Sequence, residues 1–375
     1  MSKHGWTYKK LGDVCNIEYG TRVVKKKDEG KLYPVYGGGG ATFKMDKYNR
    51  ENRVVISRFA MSPKCTRKVN GKFFLNDSGL TLRSSDLSLK QSYLDCCVLS
   101  LNDKIYLLGR GVAQKNLKVD DLVKLIIPVP GMAEQEAIVA ELDEINEAIA
   151  ALQQQVADLD TLAQSTFYDM FGDPVTNPKA WPVIQLGDKC EVTSFKRVLI
   201  EDVVESGIPF IRGTELGALS KLAKGQSIEF SLFITSEHYE KVKAISGVPK
   251  IGDLLIPSIN SDGNIWILDT NAPMYFKDGR VLWIHVNHDT YTSESLKYIV
   301  SYLIRNTYSQ MASGATFAEL KLFILRELKT ILPPLALQQA FAEKVEAIES
   351  AKAELNAQIA EMQTLLASRM DYYFD

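Results

Sequence analysis

The chain carries one frame twice, at two different offsets. Trp6 followed by Leu11-Gly12-Asp13-Val14-Cys15 returns 175 residues later as Trp181 followed by Leu186-Gly187-Asp188-Lys189-Cys190. The runs Gly111 to Leu117 and Pro130 to Gln135 return 203 residues later as Gly314 to Leu320 and Pro333 to Gln338. A long-period repeat constrains the fold more than local propensity does, because it calls for one supersecondary plan built again. The change of offset places about 28 additional residues in the middle of the second block, where the copies share little.

Each block ends in the same kind of segment. Ile138, Leu142, Ile145, Ile149, Leu152, Val156 and Leu159 alternate steps of four and three, and Phe341, Val345, Ile348, Lys352, Leu355, Ile359, Met362 and Leu366 do so again. Both are heptad seams, with Lys352 the single polar member. A stripe this narrow is no globular core, so the economical arrangement packs one helix antiparallel against the other within the chain. The alternative lays each helix on its own domain. Gly172 and Pro174 stop the first helix, and Thr176 to Lys179 reads as a linker.

The division expected is a first globular domain at 1–130, a central spacer helix at 131–173, a second globular domain at 174–333 and a C-terminal spacer helix at 334–375. Within the globules, Arg53–Ser57, Lys72–Leu75, Asp253–Ile256, Ile265–Leu268 and Val281–Val286 read as strands, and Leu94–Leu101 and Ser295–Asn306 as helices. The fold class is α+β, two mixed globules joined by two long helices in an antiparallel coiled coil.

Charge follows the same division. The chain's net −2 hides 24 Lys+Arg against 12 Asp+Glu in residues 1–130, none against 10 in 131–173, 17 against 17 in 174–333 and 3 against 7 in 334–375. A basic block beside acidic helices suits one part that meets phosphate and another that does not. Met1 to Lys10 lacks the apolar run of a signal peptide, and no stretch approaches a membrane span, so the expected location is cytoplasmic. Cys15, Cys65, Cys96, Cys97 and Cys190 show no Cys-x-x-Cys spacing, which argues against a disulfide framework or a zinc site.

These features together resemble the specificity subunits of type I restriction-modification enzymes. The likeness rests on the alternation of two variable blocks with two similar helices, on Met170-Phe-Gly-Asp-Pro174 after the first helix, on Gly111, Gln114 and Leu117, and on the proline-rich helix entries ending at Gln135 and Gln338. The second copy departs by placing Phe317 where the first has Gln114. The resemblance implies a subunit that is not an enzyme. It would read a bipartite double-stranded DNA sequence, one recognition domain per half-site, and dock two methyltransferase (modification) subunits, with restriction or translocase subunits as further partners. A helix from Glu134 to about Phe171 would span roughly 57 Å, on the order of 17 base pairs. The expectation is a split site with a gap of about 5 to 8 base pairs.

Under that resemblance the glycine run Tyr36 to Gly40 becomes a loop through which backbone approaches DNA, with Gly38 and Gly39 at its tip. No Gly-Lys-Ser/Thr follows it, so the phosphate-loop pattern fails. Lys25, Lys26, Lys27, Lys44, Lys47, Arg50 and Arg53 suit phosphate positioning, while Arg58, Lys64 and Arg67 could reach base edges. Gln114 joins these candidates through its motif. In the second block the candidates are Lys196, Arg197, Arg212 and Thr214, with Ser258, Asn260, Ser261 and Asn264 supplying hydroxyl and amide groups. Each of these has a plainer reading as surface charge or turn residue. The zero net charge of this block implies weak binding unless partners add basic surface.

His285 and His288, three apart, should point to opposite faces of a strand and serve structure rather than a metal. No Asn/Asp-Pro-Pro-aromatic methyltransferase motif, glycine-rich cofactor loop or helicase motif is present, so no cofactor is expected. Two rivals remain: a self-contained nuclease or methyltransferase, and a coiled-coil adaptor whose globules bind protein.

Overall fold

Thr7–Lys10 pairs antiparallel with Ile126–Val129, and Val183–Gln185 pairs antiparallel with Lys329–Ile331. These two ribbons are the duplicated frame in three dimensions, each tying the start of a block to its end. The turn after each ribbon closes in the same way: Leu11 N donates to Leu125 O at 2.8 Å, and Leu186 N to Leu328 O at 2.9 Å. In the computed structural model, which describes residues 5–112, 114–222, 226–311 and 319–375, the chain forms two compact units. Unit 1 comprises Met1–Ala151 with Ile359–Asp375, and unit 2 comprises Leu152–Gln358. Gly314 and Phe317 lie outside the described residues.

The core of unit 1 is a six-stranded sheet ordered Cys15–Tyr19, Gly79–Ser84, Arg50–Ser57, Thr66–Leu75, Tyr33–Gly37, Gly40–Met45. Leu80 and Leu82 of this sheet alternate inward toward Tyr93, Leu94 and Cys97 of the helix Gln91–Ser100, as period-two burial against one helix requires. In unit 2 the corresponding sheet runs Glu191–Ser194, Val281–His285, Leu254–Pro257, Trp266–Ile267, backed by the helix Ser293–Met311. The first three strands of each sheet keep one order and one antiparallel sense: Ser57 pairs with Gly79 as Pro257 pairs with Val281.

Unit 2 adds a second sheet, Val203–Val204, Phe233–Ile234, Ile208–Ile211 and Tyr275–Phe276, with its own core of Phe195, Phe210, Ile211, Leu216, Ile234, Tyr239 and Trp283. Most of this sheet comes from the middle of the block, where the offset change puts the additional residues.

Two helices of 40 residues each, Met132–Phe171 and Leu335–Phe374, follow the globules. The first turn of each carries a buried glutamine. Gln135 accepts from Lys90 N and donates to the Ser88 and Pro130 carbonyls; Gln338 accepts from Thr292 N and donates to the Thr290 and Pro333 carbonyls. Within unit 2 the helices run antiparallel: Phe167 and Phe171 pack on Phe341, and Asp160 pairs with Lys352. The core of unit 1 likewise receives Ile138 and Leu142 from the first helix and Phe374 from the second.

The first helix stops at Gly172, in the left-handed region at φ +77°, with its amide on Tyr168 O. The segment expected as a linker is instead a hydrogen-bonded corner. Asn177 donates to and accepts from the backbone of Trp181, and the Trp181 indole donates to Phe171 O. An amide side chain that satisfies backbone on both sides makes a rigid turn of a stretch whose composition reads as loose.

Candidate nucleic-acid interface

In both units the third strand of the sheet order, Arg50–Ser57 in unit 1 and Leu254–Pro257 in unit 2, ends in a segment that leaves the sheet at the same place. Arg58 N donates to Ser78 O at 2.8 Å and Arg58 O accepts from Leu117 N at 2.8 Å; Ser258 N donates to Arg280 O at 3.0 Å and Ser258 O accepts from Leu320 N at 2.8 Å. Around this station each unit gathers polar groups.

In unit 1 the glycine run is the turn of a hairpin, Tyr33–Gly37 with Gly40–Met45, and not an open loop. Gly38 O accepts from Ser57 Oγ at 2.8 Å and from Arg67 Nη2 at 2.8 Å, and Gly38 N donates to Ser78 Oγ at 3.0 Å. Gly39 is exposed, and a Cβ built there would meet nothing within 4 Å, so backbone is open to close approach at this one position. The Arg58 guanidinium lies over the rings of Tyr19 and Phe59, 4.6 and 4.8 Å from their centroids, and donates to Asp77 O. Stacking of this kind holds a planar cation in a fixed orientation with its edge outward. Lys64 is exposed beside Arg67, whose Nη2 also reaches Lys64 O. Gln114 is exposed on the loop that Leu117 and Lys115 tie to Arg58 and Met61.

Gly39, Arg58, Lys64, Arg67 and Gln114 therefore share one surface, whereas Gly38, expected beside Gly39 to approach DNA, is buried and gives both its backbone groups to Ser57, Arg67 and Ser78. Lys25, Lys26 and Lys27 form a separate exposed turn, Lys25–Asp28, and Lys44 sits near it on the edge strand, where its carbonyl accepts from Gly30 N. Arg53 belongs to neither group. It lines a cavity of about 820 Å³ facing the long helices, together with Lys68, Asp95 and Asp143. Burial pushes the Asp95 carboxyl up to about 6 there.

In unit 2, Arg212, Thr214 and Ser258 line one cleft of about 430 Å³ with two cations outside the expected set, Lys277 and Arg280. Arg212 is committed to Glu215 through both Nε and Nη2, which leaves little of its charge for a ligand. Arg280 gives Nη1 to Glu319, a carboxylate that the Lys321 ammonium, with Arg280 behind it, holds below the usual range. Lys196 and Arg197 are exposed. They follow Ser194, whose hydroxyl bridges Gly279 N and Val281 O, and so leave the sheet beside the Lys277–Arg280 turn.

The run Ser258 to Asn264 differs from expectation. Ser258 and Asn260 are 1% and 3% exposed. The Asn260 amide accepts from Asn264 N at 2.7 Å and donates to Asn264 O at 2.8 Å, so it closes its own turn rather than facing a base. Asn264 gives its backbone to that turn, and only Ser261 of the four is exposed. His285 Nδ1 lies 2.9 Å from Asp253 Oδ1, a carboxylate that also receives the Trp283 indole and Val286 N. Among the described residues no group of three or more His, Cys, Asp or Glu side chains is arranged to hold a metal ion, and no helix is long and apolar enough to cross a membrane.

Residues 3–159 and 178–362 match the domain described as the type I restriction modification DNA specificity domain. A Haemophilus influenzae protein described as a putative type I restriction enzyme specificity subunit is 24% identical over 359 residues, covering 92% of this chain and 87% of its own. The MjaVIII specificity subunit of Methanocaldococcus jannaschii is 23% identical over 289 residues, covering 70% and 62%. The fold is similar to the crystal structure of a type I restriction-modification S subunit from M. genitalium, with a TM-score of 0.56, 19% identity and 99% and 96% of the two chains covered. It is also similar to a chain from a study of complex assembly and conformational transition of the type I system, at 0.54, 17%, 98% and 97%.

Proposed function

Because the chain belongs to the type I restriction modification DNA specificity family, we propose that it reads a split duplex sequence, each unit reading one half. The observation that carries this reading is the repeated strand-end station, where Arg58 and Ser258 take the same backbone bonds and polar side chains collect around both. Phosphate contacts would come from Lys25, Lys26, Lys27 and Lys44 in unit 1 and from Lys196, Arg197 and Lys277 in unit 2, since Lys and Arg cations that reach solvent position a duplex on its phosphates without reading it. Base contacts would come from the oriented groups at the two stations.

The same reading assigns catalysis to partners, two methyltransferase subunits together with restriction or translocase subunits. The long helices are the docking surface. The first carries no basic residue, and two of the three in the second are taken up within the chain: Lys352 by Asp160 and Glu349, Arg369 by Glu141. The remaining carboxylates leave an acidic face suited to a basic partner surface.

The test is selection of duplexes from a random-sequence pool by the full chain together with a methyltransferase partner. Enrichment of two short fixed blocks separated by a constant gap supports the reading. Binding with no enriched sequence, or binding of protein alone, would favour the coiled-coil adaptor.

A further inference from the structure

Position 58 carries an arginine and its backbone partner, position 78, a serine; in unit 2 the matching positions, 258 and 280, carry a serine and an arginine. The cation has changed strands while keeping its station. We infer that Arg280 is a specificity-determining residue of unit 2, the counterpart of Arg58 in unit 1; this rests on the reading of the chain as a DNA specificity subunit.

Arg280 combines two features that suit it to this role. Its guanidinium is held on one side by Glu319, and among the described residues Nη1 alone is engaged, so the remaining donors keep a fixed outward orientation. Its side chain is 47% exposed. A planar cation pinned by one edge is suited to bidentate pairing with a base edge, as a flexible ammonium is not. Arg58 meets the same description by other means, pinned by Asp77 O and two rings. Arg212 does not, because Glu215 occupies its fork, and Lys277 is a point charge. Ser258, beneath Arg280, is too short and too buried to project from the cleft.

The experiment maps methylation directed by the full chain with its methyltransferase partner, comparing wild type with Arg280→Ala, Arg280→Lys and Arg58→Ala. Arg280→Ala and Arg280→Lys should both relax one base position in a single half-site, lowering discrimination there by roughly ten- to a hundredfold, while Arg58→Ala relaxes a position in the other half. The exposure of Arg280 makes loss of folding unexpected, and a thermal melt of each variant checks it. An unchanged motif in Arg280→Ala would overturn the inference. So would weakening at every site alike that Arg280→Lys restores, which would mark a phosphate contact. A wild-type chain that directs methylation to no motif would instead refute the functional reading beneath it.

Discussion

The Lys352 ammonium lies 2.7 Å from the Asp160 carboxylate, in the seam where the second long helix meets the first within unit 2. Its side chain is 16% exposed, and Glu349 supplies a second carboxylate at 3.0 Å. The one polar residue of the heptad pattern is thus an ion pair that fixes how the helices face each other. Burying the ammonium costs desolvation that the two carboxylates offset, and an apolar side chain of similar size packs the same seam without that cost. Lys352→Leu should therefore leave stability unchanged or raise it by about 1 kcal/mol, whereas Asp160→Ala, which removes an exposed partner, should cost less than about 1 kcal/mol. Urea unfolding of both variants checks this. A clear destabilisation in Lys352→Leu would show that the pair holds the seam together.

Gln135 and Gln338 are each fully buried, and each makes three hydrogen bonds to backbone that joins a globule to its helix. Leucine fills the same volume and strands those groups without water. Each Gln→Leu change should cost about 2 to 4 kcal/mol, and because the two sites share no partners the double variant should show the sum. Equilibrium denaturation measures both quantities.

Asp95 gives a pH signature. Burial pushes its carboxyl up to about 6 from an ordinary value near 3.8, so between these limits the folded chain holds a proton that the unfolded chain has released. That favours folding at the acid end, and the advantage is lost as pH rises through the window. Asp95→Asn, which keeps the hydrogen bond to Gln91 open to it, should melt higher than wild type by about 2 to 4 °C above pH 6, with the difference vanishing toward pH 4. A difference independent of pH would remove burial as its cause.

Lys25, Lys26 and Lys27 separate positioning from reading. Their replacement by alanine should weaken DNA binding evenly across sequences and lower the slope of log affinity against log salt by about 0.9 for each phosphate left without its lysine. The motif should be unchanged. A shifted motif in the triple variant would mean that this turn reads bases.

The frame is legible in the sequence because its physical requirements fall on particular residues at the ends of each block. A glutamine that bonds three backbone groups has few substitutes, so both copies show it at the entry to their helix. The stations are different. Arg58 and Arg280 correspond through strand register and backbone hydrogen bonds, and neither side chain is repeated at the matching position, so composition has no means of pairing them. Asn260 and Ser258 look available because amides and hydroxyls serve turns and bases equally well; only burial tells which. Arg53 resembles its neighbour Arg58 in sequence, yet lies on the part of the strand that faces the helices. The stretch Thr176 to Lys179 reads as a linker for a related reason, since Asn177 closes the corner through hydrogen bonds that depend on where Trp181 lies.

Whether the chain reads a split duplex sequence is decided by single-molecule methylation mapping of genomic DNA from cells with and without this gene, the methyltransferase partner retained. Methylation should disappear at one split motif with a constant gap and stay unchanged elsewhere. Methylation that is identical in the two strains would contradict it.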